Sequence, residues 1–306
     1  MTSCRRMNCP PQKKKIDACQ PVAMHPKVGI NPDQQLYIYY LEGRLKPENQ
    51  RFQENFIGNW EEEGDSFLFF SSAADRQIEQ VLLRQPDLHY VDSYQMAYHQ
   101  WLGEAFSTFE HGKFRITPCW ETEAADAGRD SEKLKIVLDP GLVFGTGTHP
   151  TTRDCLAALD LAARSKYFAT VLDLGTGTGL LALAAARLGS KWTLGADLNL
   201  LAARTARNNV GLNQLQNQVL IVQGRAEELI NCPADLVIAN IHYDVMQHLI
   251  TSSGFLAKKQ FILSGLMRGE AQDILGRLHR LPPVKVLQQW VQDGIWHTFY
   301  GRLDPA

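Results

Sequence analysis

The 306-residue chain contains no apolar run near the roughly 20 residues that a bilayer-spanning helix needs, so nothing in it reads as a membrane span. Its basic N-terminal stretch, Met1 to Lys15, is followed by no apolar segment, which excludes the pattern of a secretory signal. Paired cysteines are missing as well. Cys4, Cys9 and Cys19 stand in a polar, Pro-containing leader, and Cys119, Cys155 and Cys232 are isolated, so neither a zinc site nor a disulfide framework is expected. Free thiols in a reducing compartment, no metal and a cytoplasmic protein follow as expectations. A formal net charge of −2 supplies no basic field for a nucleic-acid partner. One stretch does carry a sign: between Asp33 and Glu110, five basic residues stand against fourteen acidic ones. That segment would attract a basic partner, and it serves equally well as a solvated face.

What is present changes along the chain. Residues 1–30 are Pro-containing and without periodicity, and read as a disordered leader. Residues 31–110 read as a small α+β domain. Leu36–Leu41, Ser66–Phe70 and His89–Val91 look like strands, Pro47–Asn55 and Asp75–Arg84 like helices, and Tyr94–Phe109 like a helix or part of a hairpin. Residues 111–136 form a linker, because Glu121–Lys135 has no large apolar residue except Leu134. From 137 to 306, short apolar strands alternate with Ala/Leu-rich helices: Val171–Leu174, Leu180–Leu188, Thr193–Ala196, Leu200–Leu212, Val219–Val222 and Leu236–Ala239. This alternation predicts a doubly wound α/β domain on a parallel sheet. Val284–Trp290 and Trp296–Gly301 have no helix between them and predict an antiparallel hairpin at one sheet edge.

Four segments carry chemistry. In Val171-Leu-Asp-Leu-Gly-Thr-Gly-Thr-Gly179 an apolar strand ends in Gly175, Gly177 and Gly179 and then becomes a helix. This lets the turn be tight and lets a ligand approach the backbone. A bare βα turn is the bland alternative. The dinucleotide fingerprint G-x-G-x-x-G would need its third glycine at position 180, where Leu180 stands. The G-x-G-x-G spacing matches instead the pattern of S-adenosylmethionine enzymes, whose ligand carries no phosphate. Asp197 ends the next strand, where a carboxylate accepts from ribose hydroxyls or caps a helix. Asn240, within Ile238-Ala-Asn-Ile-His-Tyr243, ends the fourth parallel strand beside the topological switch point. Its amide oxygen and nearby carbonyls suit an incoming amine, and His242 and Tyr243 either touch substrate or cap the next helix. Finally, Leu138 to Thr152 holds too many glycines, prolines and threonines for a regular element. It reads as a lid, with Thr151 or Thr152 capping the helix that follows.

The phrases DPGLVFGTGTHPTT, DLGTGTG and ANI together resemble the ribosomal protein methyltransferases of the PrmA family, which trimethylate amino groups of the large-subunit ribosomal protein L11. The resemblance runs from about Gly112 to Gly301 and takes in Ile116-Thr-Pro-Cys-Trp120 and Trp290. It implies a seven-stranded Rossmann-like methyltransferase sheet, S-adenosylmethionine as cofactor and a basic ribosomal protein as partner. By position it puts cofactor contacts at Thr152, Gly175, Asp197 and Asn240, with Gly177 and Gly179 completing the turn and Asn240 as the catalytic residue that orients the amine. Two departures stand out. Ile241-His242-Tyr243 replaces the family's Ile-Leu or Ile-Val and a small residue, and the region before Gly112 matches only in outline. The rival readings are an N-methyltransferase for another protein, glutamine or nucleic acid, a non-catalytic cofactor sensor on the ribosome, and an NAD oxidoreductase, which Leu180 disfavours.

Overall fold

The computed structural model describes residues 33–62, 64–101, 106–121, 132–165 and 168–304. The expected disordered leader lies outside the described residues. The first sheet is built from β1 (Gln35–Glu42), β2 (Phe56–Glu62), β3 (Asp65–Phe70) and β4 (His89–Ala97), with helix α1 (Asp75–Arg84) between the last two. Its strand order is β2-β3-β1-β4, antiparallel throughout. β1 buries residues on both faces because both are covered. Tyr39 and Leu41 pack with Leu68, Phe70, Ile78 and Val81 under α1, whereas Leu36, Ile38 and Phe69 face Leu142 and Leu201 of the larger part of the molecule.

Three local expectations are corrected here. Pro47–Asn55 is not a helix. Only Pro47–Asn49 forms a single 3-10 turn, and the following residues enter β2, a strand whose Phe-Ile-Gly-Asn-Trp-Glu-Glu sequence carries little alternation of its own. It exists through pairing with β3, joined by a turn at Gly64 with φ +103. Tyr94–Phe109 is not one helix either: Tyr94–Ala97 complete β4, helix α2 covers only Tyr98–Trp101, and residues 102–105 lie outside the described residues. The ladder from β4 to β1 outweighs the helical spacing of those aromatics. The linker reading of 111–136 also gives way. β5 (Phe109–His111), β6 (Phe114–Pro118) and β7 (Leu134–Leu138) form a three-stranded sheet in that order. Phe114, Ile116, Ile136 and Leu138 are fully buried. Residues 122–131 lie outside the described residues.

The large sheet begins after helix α3 (Pro150–Ser165). In chain order its elements are β8 (Thr170–Leu174), α4 (Leu180–Arg187), β9 (Trp192–Asp197), α5 (Leu200–Leu212), β10 (Val219–Gln223), α6 (Ala226–Leu229) and β11 (Leu236–Asn240). There follow α7 (Tyr243–Leu249), α8 (Ser253–Leu256), β12 (Gln260–Met267), α9 (Arg268–His279), β13 (Val284–Gln292) and β14 (Trp296–Leu303). The seven strands are ordered β10-β9-β8-β11-β12-β14-β13. The first five are parallel, and β14 and β13 form the antiparallel hairpin at the edge. Alternate strand residues feed two cores. Val171 and Ile238 pack under α3, α4 and α5, while Leu172, Leu174 and Ala239 pack under α7 and α9. This is the expected doubly wound α/β architecture. The chain leaves β8 toward β9 and β10, then returns to lay β11 and β12 on the other side, so a crevice opens at the carboxyl ends of β8 and β11.

Candidate active site

At the end of β8 the backbone folds into a turn that only glycine can make. Gly175, Gly177 and Gly179 have φ of +71, +54 and +83. A Cβ on Gly175 would lie 2.3 Å from Ile241 Cγ2, and one on Gly177 would lie 2.3 Å from the Phe144 carbonyl oxygen. The turn is pinned from β9: the Gly175 and Thr176 amides donate to the Ala196 carbonyl at 2.8 and 3.0 Å. Asp197 completes the pinning. Its carboxylate accepts from the Gly177 amide and the Asn199 amide, both at 2.9 Å. Burial pushes its pKa up, and those two amides pull it back. Asp197 is thus placed at the strand end, bonded to the glycine turn it faces, while the helix after it takes Asn199 as its N-cap.

The loop of residues 139–149 closes over this turn. The Thr178 amide donates to the Phe144 carbonyl at 3.0 Å, and the Thr178 hydroxyl donates to the Gly145 carbonyl at 2.6 Å. A narrow cleft remains beneath, lined by Phe144, Gly145, Thr152, Gly175, Thr176, Gly177, Leu180, Leu181 and Asn240. Thr152, Gly175, Gly177 and Asn240 are therefore brought together. Gly179 stays behind the turn, against Ala206 of α5, and shapes the start of α4. Leu180 is buried and occupies the place that a third fingerprint glycine would leave open.

Contrary to the expectation that Thr151 or Thr152 caps α3, neither does. Pro150 is the first helical residue, a position where its missing N–H costs nothing, so Thr151 and Thr152 fall in the buried first turn. The Thr151 amide donates instead to His149 Nδ1 at 3.3 Å. Thr152 Oγ1 is buried without a hydrogen-bond partner among the described residues. Asn240 at the end of β11 donates from Nδ2 to Thr151 Oγ1 at 3.4 Å. His242 takes the N-cap position of α7 without a side-chain cap, and Tyr243 turns away, its hydroxyl donating to Asp273 at 2.7 Å.

Sequence reasoning missed Asn209. Inside α5 it is fully buried, accepts from the Asp139 amide at 2.7 Å, and donates to the Asp139 and Thr178 carbonyls at 2.8 Å each. One side chain so joins the root of the loop to the glycine turn. The sequence offered only the pair Asn208-Asn209, both poor helix formers, inside a helical stretch. Among the described residues no group of three His, Cys, Asp or Glu could hold a metal ion, and no helix is long and apolar enough to cross a membrane.

A family model described as ribosomal protein L11 methyltransferase (PrmA) matches residues 41–303. The chain belongs to this family. Among curated PrmA relatives, the ribosomal protein L11 methyltransferase of Geobacillus kaustophilus is 39% identical over 185 residues, and that of Clostridium botulinum is 37% identical over 190 residues. These matches take in 58% and 61% of this chain, and the chain spans 58% of the length of each relative. Among solved structures, a ribosomal protein L11 methylase from Lactobacillus delbrueckii subsp. bulgaricus is similar with a TM-score of 0.54 and 26% identity, covering 65% of this chain and 100% of that one. The PrmA match extends back to residue 41 and so includes most of the first sheet, where the sequence resemblance was only an outline.

Proposed function

We propose that this PrmA-family chain transfers methyl groups from S-adenosylmethionine to amino groups, of lysine or of an N-terminus, on ribosomal protein L11. The observation that carries the reading is the Thr152 hydroxyl, buried and unpartnered in a cleft floored by the glycine turn and walled by Asn240. Leaving such a group unbonded costs about 1–3 kcal/mol, which a ligand atom would recover. Thr152, Gly175 and Gly177 would hold the donor, and Asp197 would accept from its ribose hydroxyls. Leu180 fills the space a pyrophosphate-binding turn keeps free, which argues against a dinucleotide. When bound, the cofactor supplies a methyl carbon already activated by its sulfonium. The protein's task is then positional. The loop over the cleft excludes water, and desolvation lowers the pKa of an incoming lysine from its usual value near 10.4, favouring the neutral nucleophile. Asn240 orients that amine through its carboxamide oxygen.

In this reading residues 31–110 recognise the substrate and 137–306 carry the chemistry. The acidic balance of the first of these suits a basic ribosomal protein and not a nucleic acid, and such a substrate puts the enzyme in the cytoplasm. The test is incubation with labelled cofactor and purified L11, beside other ribosomal proteins, glutamine peptides and RNA. Label on L11 amino groups is expected. Exchanging Asn240→Ala should cut turnover about 100-fold or more while cofactor affinity holds. Label on RNA or glutamine, or binding without any transfer, would overturn the reading.

A further inference from the structure

Resting on that reading, we propose that L11 docks by strand addition. An extended segment of it pairs with the open edge of β4, and a lysine or arginine of that segment lies in the groove between β4 and the start of α1, its charge against Asp75.

β4 is the outermost strand of the first sheet, and no described strand lies on its far side. From His89 to Gln95 every residue is exposed, and Tyr90, Val91 and Tyr94 are large apolar side chains among them. Sheets guard such an edge with lysine, proline, bulges or a covering element. The sequence His-Tyr-Val-Asp-Ser-Tyr-Gln-Met-Ala contains neither lysine nor proline. Its one slip against β1 falls between Tyr90 and Asp92, and residues 92–97 run in regular register. Two other edges of the molecule are closed. β2 slips between Phe56 and Gly58, and its Asn59 carbonyl accepts from Asn199 Nδ2 at 3.3 Å. On β10 the Ile221 carbonyl accepts from Arg207 Nη2 at 3.0 Å. In the regular part of β4 every second residue turns its N–H and C=O outward, which is the pattern that an added strand bonds.

The groove supplies the side-chain part of the recognition. Tyr37 stands opposite Gln95 in the β1–β4 ladder and Tyr39 opposite Ser93, so these four side chains share the face under α1. With Asp75 they line a groove of about 260 Å³ beside β4. The Tyr39 hydroxyl accepts from the Ala74 amide at 2.8 Å and gives its own proton to the Asp75 carboxylate, which fixes that carboxylate at the start of α1. A carboxylate has acceptor sites to spare after one such bond. Asp75 is exposed, and none of the ion pairs among the described residues involves it or Asp92. A lysine or arginine laid here rests its methylene stem on the half-buried Tyr37 and brings its charge to Asp75. Tyr94 and Asp92 lie on the other face of β4, hydrogen-bonded to each other, so an incoming strand meets an acid on either side. β4 also leads straight into Tyr98, whose hydroxyl donates to the Gly141 carbonyl at the root of the loop over the cleft. A protein paired with β4 is thereby held in register with the cleft.

The test follows amide hydrogen exchange of the full chain without cofactor, alone and with purified L11. Adding L11 should slow exchange at alternate residues of 92–97 by at least about tenfold, while the amides of β1 stay as slow as before. In steady-state assays Asp75→Lys should raise KM for L11 about tenfold or more, with kcat at saturating L11 and cofactor Kd within about twofold of wild type. Asp75→Glu should keep most of the affinity. Protection that appears only on other elements would overturn strand addition. So would β4 amides already slow in the free chain, because a second copy or the chain's own N-terminal residues then hold the edge. An unchanged KM in Asp75→Lys would overturn the basic side chain in the groove. Exchange is read without turnover, so the two readings part: label on L11 with β4 unprotected refutes the docking alone, and protection of β4 without any label refutes the proposed function alone.

Discussion

Asp173 offers a perturbation whose size can be worked out. It is fully buried at the end of β8, and its Oδ2 accepts the Thr176 hydroxyl at 2.6 Å. Burial pushes its pKa from the usual 3.8 up to about 7, and the nearby Asp197 adds to the rise. Below about pH 4 the folded and unfolded chains both hold the proton. As pH climbs toward 7 only the unfolded chain releases it, so folding stability falls, and above 7 the loss levels off at about 4 kcal/mol. Asp173→Asn keeps the shape and an acceptor for Thr176 while removing the charge. Without cofactor, the variant should therefore be more stable than wild type by about 2–4 kcal/mol near pH 8, and by less than about 1 kcal/mol near pH 4.5. Urea unfolding at the two pH values measures this. Wild-type stability that stays flat from pH 4.5 to 8, or a variant equally destabilised at both ends, would show that Asp173 carries no such cost.

Two further expectations concern the closed loop and the partner. Gly177→Ala would set a methyl group 2.3 Å from the Phe144 carbonyl at a φ of +54, so the loop must lift from Thr178. Calorimetry should find donor affinity reduced about tenfold or more, with an unchanged Kd speaking against closure over the turn. The acidic balance between Asp33 and Glu110 should make KM for L11 rise with added salt, and a KM that is flat from low to physiological ionic strength would remove electrostatic recruitment.

How far the molecule could be read in advance depended on where the information lies. The glycine turn, the parallel strands and the edge hairpin were legible because each is written in a short, continuous run whose chemistry has one good structural answer. β2 and β6 were not, since they draw their stability from partners: Trp60 lies opposite Phe67, and Ile116 opposite Ile136. The site divides in the same way. Gly175 and Asp197 could be placed from local pattern. The difference between Thr151 and Thr152 could not, because a helix that already begins at Pro150 decides which hydroxyl points at His149 and which is left without a partner among the described residues. Asn209 was invisible for a similar reason, since its partners Asp139 and Thr178 are 70 and 31 residues away.

The loop of residues 139–149 is unevenly held, and the unevenness says where it can give. Its first part is locked. The Tyr98 hydroxyl donates to the Gly141 carbonyl at 2.7 Å, Asn209 grips Asp139 from both sides, and Leu142 is buried among Leu36, Ile38 and Phe69 of the first sheet. Withdrawing one such side chain into water costs about 1.5–3 kcal/mol before any hydrogen bond is counted. Its last part is locked too, by Arg153 Nε donating to the Gly147 carbonyl at 3.0 Å and by Phe109 packed beneath Gly147. The middle has less. Phe144 is 46% exposed, and Phe144 and Gly145 are joined to the glycine turn by the two bonds from Thr178, each worth about 0.5–1.5 kcal/mol net. A donor molecule too large for the closed cleft therefore enters at the lowest cost by parting Phe144 and Gly145 from Thr178. The first sheet stays seated on Gly141 and Leu142 while this happens, so it keeps its position relative to Asn240 whether or not the middle of the loop is closed.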